Sequence, residues 1–177
     1  MKLELKHIAP YLPYGVKCQA MGERVDNDDD ESPAKISTVS GIYTDSYGEV
    51  FIEAMYDGDK FDIFFETDFF PILLPMSDLY KPLDNGNMPL VELTKIAYAN
   101  HKDFRLVKDR VELTSGGLTF YKFYWYDNGF VTIYSPDGIG RIIPNQLQLF
   151  EYLFEHHFDV YGLIEKGLAI DINTLKE

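Results

Sequence analysis

Cysteine is almost absent from this chain of 177 residues, because Cys18 is its only one and no intramolecular disulfide can form. A missing disulfide framework is typical of proteins in a reducing cytosol. No apolar run is long enough for a membrane-spanning helix. Glu4, Lys6 and His7 interrupt what would be the apolar core of a secretory signal, and prolines follow directly. We therefore expect a soluble, cytoplasmic protein that does not bind a membrane.

Fingerprints of catalysis are also lacking. The sequence contains no G-x-S-x-G, no P-loop, no dinucleotide-binding glycine motif and no C-x-x-C. We therefore predict no cofactor and no metal, assign no catalytic residue, and favour a protein that is not an enzyme. Cys18 would be a nucleophile only with a base close in space, so a small packed residue is the favoured interpretation.

Positive charge is scarce and unevenly placed. The chain has 29 Asp and Glu against 16 Lys and Arg, and residues 23–68 alone hold 14 acids against three bases. Contacts to phosphate need clustered Lys and Arg, so direct binding of nucleic acid is not expected. The one basic stretch, residues 101–110, is interleaved with acids and indicates a solvated strand edge. The acidic block leaves one alternative open, an acidic mimic of nucleic acid.

An acidic run within that block resembles part of a calcium loop. Asp26, Asp28 and Asp30 match the first three ligand positions of an EF-hand. The sixth position requires glycine and is Glu31, and the twelfth requires a bidentate Glu and is Ser37. The motif fails at both positions, which favours a solvated surface loop.

The densest titratable cluster of the second half is Glu155-His156-His157-Phe158-Asp159. Neighbouring histidines on a helix point about 100° apart and do not share a metal easily. His157 and Asp159 would ligate a metal only with distant partners. The favoured interpretation is a cationic helix end that complements the helix dipole.

Apolar residues are plentiful, with 46% hydrophobic and 15% aromatic content, and they predict an α+β fold. Residues 36–65 are expected to form a three-stranded antiparallel meander in which Ile36, Thr38, Ser40 and Ile42 oppose Val39 and Tyr43. Residues 69–75 predict a buried extended crossing. Residues 89–98 predict a helix, and 104–134 a second region of antiparallel strands. In the aromatic strand 120–126, Tyr121, Phe123 and Trp125 share a face, and a strand covered on both sides is favoured over one that exposes tyrosines to a partner.

The C-terminal part predicts a helix that begins near Pro144 and a second short helix that stops near Gly167. Its first helix carries an apolar stripe that we expect to be buried, and we expect this end to be required for folding. The stripe consists of Leu147, Phe150, Phe154 and Phe158.

The whole chain, 1–177, is expected to be a single domain, with one weak seam at 81–88.

Three stretches carry a resemblance: LKHIAPYLPYGVK at 5–17, FPILLPMSDL at 70–79 and LFEHHFDVYGLIEKGLAID at 153–171. Together they resemble a group of uncharacterised small proteins encoded by phages and prophages of gut Bacteroidota. The resemblance implies an intracellular origin in a mobile element. It implies no activity, catalytic residue or cofactor.

Three functional hypotheses follow. The first is a non-enzymatic, intracellular accessory protein of a phage or prophage that binds a protein partner in the host cell. The second is an acidic nucleic-acid mimic that inhibits a DNA-binding host protein. The third is an enzyme whose site is assembled from distant carboxylates and His157. The identity of the partner and the oligomeric state stay open at this point.

Overall fold

The structure is a computed structural model that describes residues 2–20, 35–126, 129–134, 137–141, 143 and 145–175. The chain is an α+β protein, as predicted. Its internal contacts divide it into unit 1, formed by residues 1–75 and 154–177, and unit 2, formed by residues 76–153. The expected seam at 81–88 lies inside unit 2, and the single-domain expectation stays a prediction.

Helices and strands alternate irregularly along the described residues. In chain order they are α1 (Leu5–Ile8), a 3-10 helix (Ala9–Tyr14), β1 (Lys17–Ala20), β2 (Ile36–Thr44), β3 (Val50–Tyr56), β4 (Asp59–Phe64), β5 (Phe69–Leu73), a 3-10 helix (Met76–Tyr80), α2 (Pro89–Ala97), β6 (Phe104–Val107), β7 (Arg110–Ser115), β8 (Leu118–Tyr126), β9 (Gly129–Tyr134), β10 (Ile139–Arg141), α3 (Gln146–Glu155), β11 (Ile170–Asp171) and a 3-10 helix (Ile172–Leu175). Within the described part of the chain, no helix is long and apolar enough to cross a membrane.

Unit 1 is built on a six-stranded sheet in the order β11-β5-β1-β2-β3-β4. The predicted meander is confirmed as β2, β3 and β4, which pair antiparallel. The predicted extended crossing is β5, which pairs antiparallel with β1 and parallel with β11. The C-terminal end of the chain therefore completes a sheet that begins near the N-terminus.

Side chains of the meander alternate between two faces of the sheet. Those of the inner face belong to the hydrophobic core of unit 1 or pack against it, together with Ile8, Tyr11 and Leu163. Those of the outer face are exposed or half-exposed. Register-matched rows show the alternation: Ile42, Ile52 and Ile63 lie inside, and Tyr43, Phe51 and Phe64 lie outside.

A β-bulge at Ser40 changes the predicted faces of β2. Val39 pairs with Ala54, whereas Gly41 pairs with Glu53, so β2 holds one residue more than β3 at this point. Such an extra residue shifts every following side chain to the other face. The expected grouping is therefore wrong beyond the bulge. Ile42 lies inside with Val39, and Tyr43 lies outside with Ile36 and Thr38.

The C-terminal segment of unit 1 packs by turns rather than by a second helix. Gly162 and Gly167 adopt positive φ angles of 62° and 67°, where glycine is favoured, and the chain then enters β11. The predicted short helix over 160–167 is therefore wrong. Its apolar residues are nonetheless used, because Leu163 is fully buried and Ala169 nearly so.

Unit 2 contains a five-stranded antiparallel sheet in the order β10-β9-β8-β7-β6. The predicted helix is confirmed as α2, with Leu90, Leu93 and Ala97 buried as expected. The predicted region of antiparallel strands begins with β6 and β7, between which the chain turns at Lys108, whose φ angle is 54°. The aromatic strand is β8, the central strand of the sheet.

The side chains of β8 divide as the alternation predicts. Phe123 is buried, Tyr121 stacks on Tyr98 just after α2, and Trp125 contacts Phe150 of α3. On the opposite face, Tyr126 is 66% exposed.

The helix α3 forms where expected, although the predicted apolar stripe is only partly correct, because Phe158 is fully buried and Phe150 half-buried but Leu147 is not buried. Leu149 and Leu153 are fully buried, whereas Leu147 is 71% exposed. Phe154 is half-buried, and Phe158 lies beyond the end of the helix in a bridge to Leu74. The helix is shorter than the stripe requires, and its buried side chains lie one turn apart.

Candidate functional site

Cys18 is a packed residue of the unit 1 core, as favoured from the sequence. Its side chain is fully buried, and burial raises the pKa of its thiol to about 12. A thiol that does not ionise near neutral pH is a poor nucleophile. Cys18 therefore contributes packing rather than chemistry.

His157 follows the end of α3 and adopts a left-handed conformation with a φ angle of 57°. Its Nε2 lies 3.1 Å from the carbonyl oxygen of Tyr14, so this nitrogen carries the proton and donates it. Burial lowers the pKa of His157 below its ordinary value. The prediction of a cationic helix end is therefore wrong for this residue, which instead connects the C-terminal segment to the N-terminal one.

Asp159 is buried and its carboxylate accepts hydrogen bonds from the backbone. Oδ1 lies 2.7 Å from the Leu163 nitrogen and Oδ2 lies 2.8 Å from the Ile164 nitrogen. Tyr11 binds the same segment, donating its hydroxyl to the Phe158 carbonyl at 2.7 Å. Both oxygens of Asp159 are thus used to hold a turn, and the structure does not bring this carboxylate into a site with His157.

The described part of the chain contains no cluster of metal-binding side chains. No group of three His, Cys, Asp or Glu is close enough there to hold a metal ion. The acidic run Asp26, Asp28, Asp30 and Glu31 lies outside the described residues. Ser37, which fails as the last EF-hand ligand, is buried on the inner side of β2.

The basic stretch 101–110 contributes an ion-pair network on the sheet of unit 2. Glu112 is buried, and its carboxylate accepts hydrogen bonds from Arg105 at 2.6 Å and Arg110 at 3.1 Å. These hydrogen bonds, that of Arg105 first, lower the pKa of Glu112. Both arginines of this stretch, Arg105 and Arg110, are therefore bound to Glu112 of the same sheet.

The strongest candidate site is the side of strands β1–β4 that faces away from the core of unit 1, which we call the outer face. It combines exposed apolar side chains with carboxylates and lysines in register-matched rows. Three of its apolar side chains are more than 40% exposed, Ile36, Tyr43 and Met55. Its members are Lys17, Ile36, Thr38, Ser40, Tyr43, Phe51, Glu53, Met55, Lys60, Asp62 and Phe64.

One end of the outer face is an aromatic row. Tyr43 and Phe51 stack with ring centroids 5.5 Å apart and planes at 15°, and Phe64 lies 5.5 Å from Phe51 on its other side. The hydroxyl of Tyr43 is hydrogen-bonded to Asp62, which raises the pKa of Tyr43. Three neighbouring strands each contribute one ring to this row.

A polar network lies beside the aromatic row. Oε1 of Glu53 accepts hydrogen bonds from the Ser40 hydroxyl and from Nζ of Lys60, both at 2.8 Å. These bonds, that of Lys60 first, lower the pKa of Glu53. The bulge residue Ser40 thereby helps to orient a carboxylate on the outer face.

The other end of the outer face is a shallow, open depression of about 480 Å³. Met55 and Ile36 give it an apolar lining, and Lys17 lies at its side. Lys35 lies over the ring of the adjacent Tyr56, with its Nζ 5.2 Å from the ring centroid. Such an open depression suits the contact of a side chain from another molecule better than the enclosure of a small substrate.

The outer face does not show in the sequence. Its three rings come from three strands, and the alternation assigned Tyr43 to the same side as Val39. One signal was present, because Phe51 and Ile52 make β3 apolar on both sides. A strand that is apolar on both sides is either covered twice or exposes one side to a partner.

Comparison with known proteins adds no assignment. No protein-family description, curated protein or solved structure matches this chain. The function is therefore argued from the geometry of the outer face.

Proposed function

We propose that this protein is a non-enzymatic accessory protein of a phage or prophage that acts inside the host cell by binding a protein partner. The outer face is its binding surface. The observation that carries the proposal is the exposure of Ile36, Tyr43 and Met55, at 41–43% each, on one side of one sheet.

Burial energetics support this surface. Full burial of an aromatic, Met or Ile side chain contributes about 1.5–3 kcal/mol, which a side chain in water forgoes. Exposed apolar side chains grouped on one surface, with polar groups beside them, are typical of interaction sites. Lys17, Glu53 and Asp62 supply polar groups among the apolar ones, as binding surfaces require for orientation.

Aromatic and Met side chains are also the types that carry binding energy at protein interfaces. Tyr and Met are enriched there because each offers a large contact area. Tyr43 stands beside Phe51 and Phe64, which support its ring from the side. A supported ring loses little freedom on binding, so its burial favours association.

The enzyme hypothesis has less support, since its named groups are held in structural contacts. His157 donates to Tyr14, and both oxygens of Asp159 accept from the backbone. The nucleic-acid mimic depends on residues 23–68, of which the most acidic run lies outside the described part. Both alternatives stay predictions.

The test is a capture experiment with the full chain in a lysate of the bacterial host. The face variant carries Tyr43→Ser and Met55→Ser. The control variant carries Tyr47→Ser and Leu118→Ser, which change side chains that are 89% and 68% exposed and lie off the outer face. We expect the wild type and the control to retain the same protein, and the face variant to lose it.

Folding of all three proteins is checked by thermal melting, where we expect transitions within a few degrees of one another. Equal capture by the face variant and the control would contradict the proposed surface. Turnover of a metabolite by the purified protein, with no partner retained, would contradict the proposed function itself.

A further inference from the structure

We propose that the partner binds through a basic segment, one arginine of which stacks on the ring of Tyr43 and pairs with Asp62. This inference rests on the proposed function and names the chemistry of the partner. It is drawn from three observations: an exposed ring in an ordered row, carboxylates beside that ring, and an excess of acidic residues in the segment 35–68 that forms most of the face.

The ring of Tyr43 is both exposed and held in place. It is 43% exposed, while its stacking on Phe51 supports one side of the ring and Asp62 lies beside its hydroxyl. A cation over the face of an ordered aromatic ring is attracted by the ring quadrupole. The row therefore offers a prepared surface for a flat cation.

Carboxylates surround the same ring. Asp62 is bonded to the Tyr43 hydroxyl, and Asp45 and Glu53 lie near enough to act on that hydroxyl electrostatically. Glu53 is already engaged by Ser40 and Lys60. Asp62 is exposed and lies in the row next to the rings, so it is the carboxylate that a stacked cation reaches.

Arginine fits this arrangement better than lysine. Its guanidinium is planar, weakly hydrated and able to stack on a ring while its N–H groups bind a carboxylate at the edge. An ammonium is a compact, strongly hydrated charge that gains less from the ring. The ring of Tyr43 with Asp62 beside it offers both contacts at once.

The charge of the region selects a basic partner. Residues 35–68 hold eight Asp and Glu against two Lys, and unit 1 as a whole holds 20 against eight Lys and Arg. At the aromatic end of the outer face, the carboxylates of Asp45, Glu53 and Asp62 lie near the Tyr43 hydroxyl, and Lys60 is bound to Glu53. A second copy of this chain would bring the same carboxylates to that end, which opposes self-association there. Lys17 lies at the other end of the face, about 13 Å along β3 from the aromatic row at the usual rise per residue.

The test uses short synthetic peptides of alternating Arg and Ser, of alternating Lys and Ser, and of alternating Glu and Ser. Each is titrated into the full chain at about 0.15 M salt, where diffuse attraction is screened. Binding is followed by residue-resolved NMR. We expect the Arg peptide to bind tightest and to shift the amides of β2, β3 and β4 most.

Two variants test the site, and a third is the control for a change of charge. Tyr43→Leu keeps an apolar side chain without the ring, and Asp62→Asn keeps an acceptor for the Tyr43 hydroxyl without the charge. The control Glu151→Gln removes one exposed negative charge from α3. We expect the two site variants to weaken binding of the Arg peptide about tenfold and the control to change it less than about twofold.

Several outcomes would overturn the inference. These are equal binding of Arg and Lys peptides, equal weakening by Asp62→Asn and Glu151→Gln, shifts outside β2–β4, and absence of binding. Self-association that Tyr43→Leu abolishes would assign the face to a second copy instead. Melting curves establish that each variant is folded.

Failure of this inference is distinguishable from failure of the proposed function. If the captured host protein is lost with Tyr43→Ser and Met55→Ser but retained by Asp62→Asn, the outer face binds a partner of other chemistry. If capture does not depend on the outer face at all, the proposed surface is wrong as well.

Discussion

Each unit contains a sheet whose side chains alternate between two faces, but the two units differ strongly in net charge. Unit 1 carries 20 Asp and Glu against eight Lys and Arg, for a net charge of −12, whereas unit 2 carries nine against eight, for a net charge of −1. Nearly all of the net negative charge of the chain thus belongs to unit 1. Charge at this level affects partners and association rates rather than the fold.

The units also differ in what their buried polar groups connect. In unit 1, Tyr11 and Asp159 hold the C-terminal segment, and Tyr11 lies 147 residues from its partner Phe158. In unit 2, Glu112 binds arginines two and seven residues away, within one hairpin. The comparison teaches that unit 1 depends on contacts between its chain ends, whereas unit 2 depends on local ones.

The largest effect is expected from Phe158→Ala in unit 1. The ring is fully buried, so its removal should lower the free energy of unfolding by about 3–5 kcal/mol. Residue-resolved hydrogen exchange should show faster exchange in β1–β5 than in β6–β10. Leu147→Ala, at a side chain that is 71% exposed, is the control and should change stability by less than about 0.5 kcal/mol.

Equal acceleration of exchange in both sheets would break the comparison, because it would show that the two units unfold as one. The fluorescence of Trp125 gives an independent measure of unit 2, since it is the only tryptophan and packs against Phe130 and Phe150.

A smaller loss is expected from Tyr11→Phe. This change leaves the ring in place but removes the hydroxyl that donates to the Phe158 carbonyl and accepts from the Val160 nitrogen. Two hydrogen bonds worth about 0.5–1.5 kcal/mol each are lost, although the Val160 nitrogen keeps its bond to the Phe158 carbonyl at 2.8 Å, so the change should cost about 1–3 kcal/mol in urea unfolding. An unchanged midpoint would show that the C-terminal segment is held by packing alone.

Glu112→Gln sharpens the comparison from the side of unit 2. The substitution keeps the shape but removes the charge that binds Arg105 and Arg110, which should cost about 1–2 kcal/mol at neutral pH. The Trp125 fluorescence transition should move to lower urea. Because the pKa of Glu112 is lowered in the folded protein, its contribution is present above the ordinary value of 4.5 and is lost as the pH falls below it. A variant as stable as the wild type at pH 7 would contradict the role of this network.

The smallest effect is a difference in acid sensitivity between the units. Burial lowers the pKa values of His7 and His157 from 6.5, so the unfolded chain binds more protons than the folded one below that pH. Stability of unit 1 should therefore begin to fall as the pH drops below about 6.5, before the contribution of Glu112 in unit 2 is lost.

Hydrogen exchange between pH 7 and pH 5 measures this difference. The matched variant carries His7→Asn, which keeps an acceptor for the Glu4 nitrogen, and His157→Gln, which keeps a donor for the Tyr14 carbonyl. We expect the variant to have a flatter pH dependence. The same slope in both proteins would assign the effect to other groups.

Local patterns predicted most elements of the fold. The meander of β2–β4 and the helix α2 follow from turn residues and apolar spacing that act over a few residues. The pairing of β11 with β5 joins residues about a hundred positions apart and leaves no local pattern. The predicted stripe on α3 was wrong at Leu147, which fits the same spacing as residues that are buried but is exposed.

The outer face was not predictable for a related reason. Tyr43, Phe51 and Phe64 become neighbours only through the register of three strands, and the bulge decides on which side Tyr43 lies. Cys18 could be interpreted correctly because free cysteine is usually buried, a property of the residue type rather than of its neighbours.

The extra residue at Ser40 gives the two halves of β2 opposite patterns of buried and exposed side chains. Before Ser40, even-numbered side chains lie on the outer face and odd-numbered ones on the inner face. After it the order is reversed, so that Ile42 packs against the core and Tyr43 faces the solvent. Substitutions in the two halves of this one strand are therefore constrained by opposite periodicities. Removing the residue would exchange the core and the aromatic row at that end, so a single amino acid decides whether Ile42 or Tyr43 faces the solvent.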